Sequence, residues 1–294
     1  MEPIGVVGHI AIDRIRTRSG EWQQLGGPPT YVSLITNLIG IPLIAATKVG
    51  GDFPSEYTSE LAMRGLDIRG AVVPSAETTR FVLDYTSAER GLGYESLCAP
   101  IEPWDVEELP DASILAPIVG EIPLKTLRAL KSGTLALDPQ GFVRRLEPEG
   151  SISFRPWRDV ELLSRLSLFK ASERELHLVT GEGGWTGLGH LVGLGVKVAI
   201  ETRGGEGANI RYAGGRMIVP VYSGETVDTT GAGDAFIAGF FSAYASGEEV
   251  EWCAALGTAA ASAVVETVGP RIKIEKAELL ERAEIVLDGI KRLA

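Results

Sequence analysis

The sequence predicts an α/β protein: a Rossmann-like, mostly parallel central sheet flanked by helices on both faces, with a small β lid. Three observations predict it. Short apolar runs of β type alternate with helical patterns along most of the 294 residues, the arrangement that makes strands parallel and lays helices over them. Two of those runs, ending at Asp13 and Asp138, close on a carboxylate, at the strand ends where open α/β sheets bind ligands. Residues 14–25 and 71–98 break the alternation with hairpin-like sequence and are expected to form the lid.

Length and a hydrophobic content of 45% allow one large core, and 1–294 reads as a single domain carrying that lid. No apolar run reaches membrane-spanning length and the N-terminus lacks a basic region, apolar core and cleavage site, so a cytoplasmic protein without a membrane partner is expected. A net charge of -11 argues against nucleic acid, which calls for basic patches, yet leaves a nucleotide substrate open. Cys98 and Cys253 lack CxxC spacing, and His9, His177 and His190 are scattered, so neither a zinc site nor a disulfide framework is indicated. The basic residues at Arg14–Arg18 and Arg144-Arg145 read as solvated surface.

In chain order, Ile4–Asp13 reads as one buried strand whose final carboxylate faces the crevice. Gly26-Gly27 precedes Pro28-Pro29 and a helical pattern at Tyr31, Leu34, Ile35 and Leu38. Ile44–Val49 reads as a strand before Gly50-Gly51-Asp52, and Ser59–Gly65 as a helix stopped by glycine. Residues 78–86 and 92–97, around Glu89-Arg90-Gly91, read as a hairpin. Strands follow at 112–117 and 134–138, with a helix at 124–130 between them, and then a strand at 196–202 that leads into the Gly-rich loop 203–208. Helices are expected at 235–244, at the alanine-rich 250–265 and at 275–293.

The chain centres on Asp228-Thr229-Thr230-Gly231-Ala232-Gly233-Asp234-Ala235-Phe236. Glycines at 231 and 233 let the backbone turn and approach a ligand closely, and the following helix would present unpaired N–H groups and its positive dipole end to an anion. Asp234 would repel that anion unless it takes a proton from a substrate hydroxyl. Two other phosphate-binding loops do not fit: a Rossmann fingerprint needs glycine where Phe236 stands, and no Gly-Lys pair exists for a P-loop.

This stretch resembles the C-terminal signature of the ribokinase-like (PfkB) family of carbohydrate and nucleoside kinases. The resemblance implies ATP and Mg²⁺, a general base at Asp234, and an anion hole from the amides of Gly231, Ala232 and Gly233. It extends to Asp13 and Gly26-Gly27, which would hold substrate hydroxyls, with Tyr31 where many members have Asn and its aromatic face expected to pack on the substrate ring instead. Asp138-Pro139-Gln140-Gly141-Phe142, with Gly26–Tyr31, resembles an archaeal branch that includes a myo-inositol kinase, and adds Asp138 and Gln140 as substrate contacts. Ser172–Glu175 resembles the family's Asn-x-x-Glu motif, implying that Glu175 acts on Mg²⁺ through water. Thr202, Gly204 and Gly207 match a Thr-x-Gly-x-x-Gly loop against ATP, joined by Asp228 and Thr230. The acceptor implied is a sugar or a cyclitol such as myo-inositol. A nucleoside is the alternative within the family, and a catalytically silent ATP and sugar sensor the alternative outside it. A homodimer through the lid edges is also expected.

Overall fold

The computed structural model describes residues 2–86, 91–131 and 133–293; Glu89 and Arg90 of the expected lid turn lie outside them. Among the described residues the main sheet has nine strands, in the order Leu43–Ala46, Ile4–Val7, Ala112–Leu115, Thr134–Leu137, Leu168–Ser172, Val198–Thr202, Ala208–Tyr212, Gly215–Val219 and Lys291–Leu293. The first six are parallel. The last three add antiparallel neighbours.

Successive residues on a strand face opposite sides, and both sides here are covered. Val6, Ile114, Ala136, Leu168 and Val198 enter one apolar core with Val32, Phe236, Phe240 and Leu256. Their neighbours Val7, Leu115, Leu137, Phe169 and Ala199 enter another with Leu127, Leu163, Leu176 and Leu188. That double burial explains why the strands read as continuous apolar runs rather than alternating ones.

The run Ile4–Asp13 divides in two. Ile4–Val7 belongs to the main sheet, whereas Ala11–Thr17 belongs to a four-stranded sheet ordered Gly20–Gly26, Ala11–Thr17, Thr79–Asp84, Gly91–Ser96. Long-range bonds redirect the chain between them. The Ile10 N–H donates to Thr47 Oγ1 at 2.9 Å, the His9 ring pairs with Thr79 Oγ1 at 2.9 Å and the Ala99 carbonyl at 3.0 Å, and buried Glu121 accepts from the N–H groups of His9, Ile118 and Val119. Asp13 therefore comes from the small sheet and not from the end of the first main strand.

Two further differences have local causes. The last helix stops at Asp288, and Lys291–Leu293 turns back to pair with Gly215–Val219, where an open sheet edge supplies backbone partners. Arg144–Leu146 and Ile152–Phe154 form a hairpin unforeseen from sequence, turning at Gly150 with φ +87°. It joins the small sheet through Gly93 and Ser151 and through the Tyr94 N–H, which donates to the Gly150 carbonyl at 2.9 Å.

The helix Ala232–Ala245 crosses Val250–Val265 at very short range. A Cβ at Gly239 would lie 2.8 Å from the Leu256 carbonyl oxygen, and one at Gly257 would lie 2.9 Å from the Phe236 carbonyl oxygen. The crossing fixes where the first of these helices begins. Gly239→Ala and Gly257→Ala are each expected to cost about 1–3 kcal/mol through overpacking, read as a lower urea midpoint at unchanged slope, and the double variant less than the sum because both act on one contact.

Candidate active site

A cavity of about 490 Å³ lies between the two sheets. Asp13, Phe81, Leu83 and Leu92 reach it from the small sheet; Asp138, Lys170, Gly231, Gly233 and Asp234 reach it from the ends of main-sheet strands and the start of the helix Ala232–Ala245. The hairpin closes a third side with Arg144, Ile152 and Phe154.

Gly231 caps that helix in the left-handed conformation, φ +79°. A Cβ there would overlap the Tyr31 ring, so glycine is required on both counts. Among the described residues, no protein acceptor takes the N–H groups of Gly231, Gly233 or Asp234, as expected for a first turn open to a ligand. Ala232 differs from expectation: its N–H turns to the Thr229 carbonyl at 3.3 Å, and it does not line the cavity. Asp228 braces the loop, accepting from Thr230 N–H at 2.9 Å and Gly269 N–H at 3.4 Å. Thr230 lines the cavity and its hydroxyl lies 3.4 Å from that of Tyr85.

Five charged groups of mixed sign act at this first turn. Asp138 accepts from the Gln140 N–H at 3.1 Å through one oxygen and from Lys170 Nζ at 2.6 Å through the other. Lys170 and Asp138 are 5% exposed each. The Asp234 carboxyl is pushed up to about 7 by burial and then by the charge of Asp138, with Lys170 and Arg144 pulling the other way and Glu175 adding to the rise. Burial opposes the Lys170 ammonium, but the carboxylates of Asp138, Glu175 and Asp234 outweigh it and hold its proton more firmly than usual.

Sequence reasoning missed Lys170 and placed Arg144 on the surface. A lone lysine inside the apolar strand Leu168–Ser172 was the available signal. Arg144 turns inward because it opens the hairpin: its guanidinium donates to Gln140 Oε1 at 2.8 Å and to the Ile118 carbonyl at 3.4 Å, whereas Arg145 is exposed as read. Arg174 reaches the cavity lying over the Phe154 ring at 4.8 Å.

The paired glycines have separate tasks. A Cβ at Gly26 would overlap the buried Asp13 carboxylate, and Gly27, φ +84°, passes tightly against the His9 carbonyl before the helix Pro28–Ile39. Tyr31 lines the cavity yet is 1% exposed, so it packs beneath the Gly231 turn rather than offering an open stacking face. Burial and the charges of Asp13, Asp228 and Asp234 keep its hydroxyl protonated.

Thr202, Gly204 and Gly207 lie outside the cavity, at the end of Val198–Thr202, which neighbours Leu168–Ser172 on the side away from Asp138. Glu175 is also outside it. One of its oxygens accepts from the Ser172 N–H at 2.8 Å and the Ser172 hydroxyl at 2.7 Å, closing a capping box on the helix Glu173–Thr180. No cluster of three or more metal-ligating side chains occurs among the described residues, and no helix there is long and apolar enough to cross a membrane.

Residues 146–277 match the pfkB family carbohydrate kinase. The chain carries a PfkB-family carbohydrate kinase domain with the ribokinase-like fold. It is 29% identical over 279 residues to a cytidine kinase of Thermococcus kodakarensis, covering 90% of this chain and 96% of that one. It is 27% identical over 279 residues to an inositol 3-kinase of Arabidopsis thaliana, covering 90% and 74%. Among solved structures it resembles a pyrophosphate-dependent kinase in the ribokinase family, complexed with a pyrophosphate analog and myo-inositol, with a TM-score of 0.79 at 24% identity over 95% of this chain and 99% of that one. The kinase is thus a phosphotransferase acting on a hydroxyl, of the carbohydrate and nucleoside class.

Asp234 makes stability depend on pH in a defined direction. Its native value of about 7 exceeds the ordinary 3.8, so the native state holds the proton more tightly than the unfolded chain does. The stabilisation is complete below about pH 4 and is lost as pH rises through 7. Asp234→Asn is therefore expected to melt about 2–5 °C above the unsubstituted kinase at pH 8 and level with it at pH 4, measured by thermal unfolding at both.

Proposed function

We propose that this kinase transfers the γ-phosphoryl group of ATP to one hydroxyl of a small polyhydroxylated acceptor, a sugar or a cyclitol such as myo-inositol, with Asp234 as general base, and that it does so in the cytoplasm. The observation that carries the reading is the convergence of Asp234, an open helix first turn and the carboxylates of Asp13 and Asp138 on one cavity. Asp13 and Asp138 accept from ring hydroxyls, Gln140 adds an amide beside them, and the Gly26-Gly27 turn lets the ring approach. The target hydroxyl sits beside Asp234, which takes its proton as the new O–P bond forms and the donor's bridging P–O bond breaks. A base near 7 is well matched to that task at neutral pH.

The free amides of Gly231 and Gly233 and the positive end of the helix Ala232–Ala245 face the charge on the moving phosphoryl group. The donor's remainder extends across the end of Leu168–Ser172 toward Thr202, Gly204 and Gly207, with Asp228 and Thr230 holding the loop between. The donor set fits a Mg²⁺ that keeps most of its waters: among the described residues, Glu175 leaves one oxygen free of hydrogen bonds and no protein cage competes for the ion. When bound, Mg²⁺ supplies charge neutralisation at the phosphates. The small sheet serves as a cover within one folded unit and excludes water from the reacting group. Its edge strand Gly20–Gly26 is the surface through which two copies would associate.

A nucleoside acceptor is the second reading, and one observation favours it. Phe81, Leu83, Leu92, Ile118, Ile152 and Phe154 give the cavity an apolar wall where a planar base would lie while its ribose met Asp13. The test is phosphoryl transfer by purified protein with Mg²⁺, using ATP or pyrophosphate against myo-inositol, ribose, fructose, cytidine and other nucleosides. Turnover of a ring polyol by ATP supports the first reading, and turnover of nucleosides alone supports the second. Asp234→Asn should bind the donor normally and lose about 10²–10⁴ in turnover. Normal turnover by that variant would remove Asp234 from the role.

A further inference from the structure

We propose that Lys170 is a positioning residue for phosphoryl transfer, whose ammonium, anchored on Asp138 beneath Gly233, favours the ionised form of Asp234 that accepts the substrate proton. The inference rests on the reading of Asp234 as the base. Its warrant is the placement of the three groups. Lys170 stands on the strand Leu168–Ser172 with its side chain 6% exposed and Nζ 2.6 Å from Asp138 Oδ2. A Cβ on Gly233 would lie 2.5 Å from the same Nζ, so the ammonium sits directly against the first turn that carries Asp234. Two carboxylates that share a small buried volume repel, and one of them then holds a proton near neutrality. A cation held on one carboxylate and against the turn that carries the other offsets part of that repulsion.

Charged or titratable groups face Asp234 from five elements, and the helix Val250–Val265 packed behind it adds none. Asp138 faces it from the end of Thr134–Leu137, Lys170 from Leu168–Ser172, Arg144 from the hairpin and Glu175 from the helix Glu173–Thr180, while the Tyr31 hydroxyl comes from Pro28–Ile39. Arg144 acts in the same sense as Lys170 and less strongly, its guanidinium being engaged with Gln140 and the Ile118 carbonyl. Lys170 also differs from an ordinary buried ion pair in where it sits. A lysine with a purely structural role would need only its carboxylate partner, whereas this one lines the reaction cavity. During the reaction the hydroxyl proton passes to Asp234 and later to solvent, and Lys170 stays charged throughout.

The arrangement makes opposite predictions for its two partners. Removing the cation in Lys170→Met should raise the proton affinity of Asp234 by about one pH unit or more, and removing the anion in Asp138→Asn should lower it by a similar amount. The double variant should return toward the unsubstituted protein. The reading is a ¹³C titration of the Asp234 carboxyl in the full chain labelled at aspartate carboxyl carbons, assigned by its loss in Asp234→Asn, so no substrate is required. With an acceptor in hand, the acid limb of kcat/KM should move in the same directions, and Lys170→Met should regain activity above pH 8.

Midpoints that stay in place in both single variants, or that move the same way, overturn the proposal. If Lys170→Met lacks a cooperative melt, the comparison of Asp138→Asn with the double variant decides: adding Lys170→Met must raise the Asp138→Asn midpoint, and no rise overturns the proposal. The two readings fail separately. An inactive Asp234→Asn with unmoved midpoints removes Lys170 and keeps the base, whereas an active Asp234→Asn removes the base and the catalytic meaning of Lys170 with it.

Discussion

The helix Ala232–Ala245 is buried from Ala235 to Ala243 while its first turn opens onto a cavity, and the rest of the site depends on that combination. Burial prevents the helix from shifting along its axis, since Gly239 and Gly257 bring two backbones into contact with no side chain to yield. The free N–H groups therefore stay where an anion would meet them. Tyr31 seals the turn from below and makes glycine necessary at 231, so one aromatic ring determines both the packing and the backbone conformation at the helix start.

Fixing a helix N-terminus beside strand ends concentrates charge. Asp138 and Lys170 come from adjacent parallel strands and reach the same spot because neighbouring strands of a parallel sheet end together. Asp234 arrives from the helix. The cost is visible in the raised proton affinity of Asp234. A carboxylate held in that state is a poor contributor to stability and a well-placed proton acceptor at neutral pH, and the same burial causes both.

The cavity joins two kinds of surface. Carboxylates and amides at the strand ends suit hydroxyls; the apolar side chains of the small sheet and hairpin suit a flat or hydrophobic group. The hairpin Arg144–Phe154 brings both kinds in one element, Arg144 toward the polar end and Ile152 and Phe154 toward the apolar one.

By itself the sequence determined the parts that depend on neighbours in the chain. Apolar runs separated by helical patterns specify a parallel sheet covered on both faces, and Gly231 and Gly233 ahead of a helical run specify an open first turn. Asp138 and Asp234 were legible as candidates because strand ends and helix starts are where such folds bind ligands, whereas Asp13 was read at the end of a main-sheet strand that in fact stops at Val7. The tertiary structure alone decided which groups meet. Asp13 arrives from a second sheet because His9, Ile10 and Glu121 bend the chain through partners far away in sequence. Lys170 and Arg144 become part of the site because a buried cation finds its carboxylate, or its carbonyl, across strands and hairpins that no local period encodes. Periodicity reports which face of an element is buried, whereas electrostatic pairing acts through space, so the charge balance at Asp234 exists only once the strands are assembled.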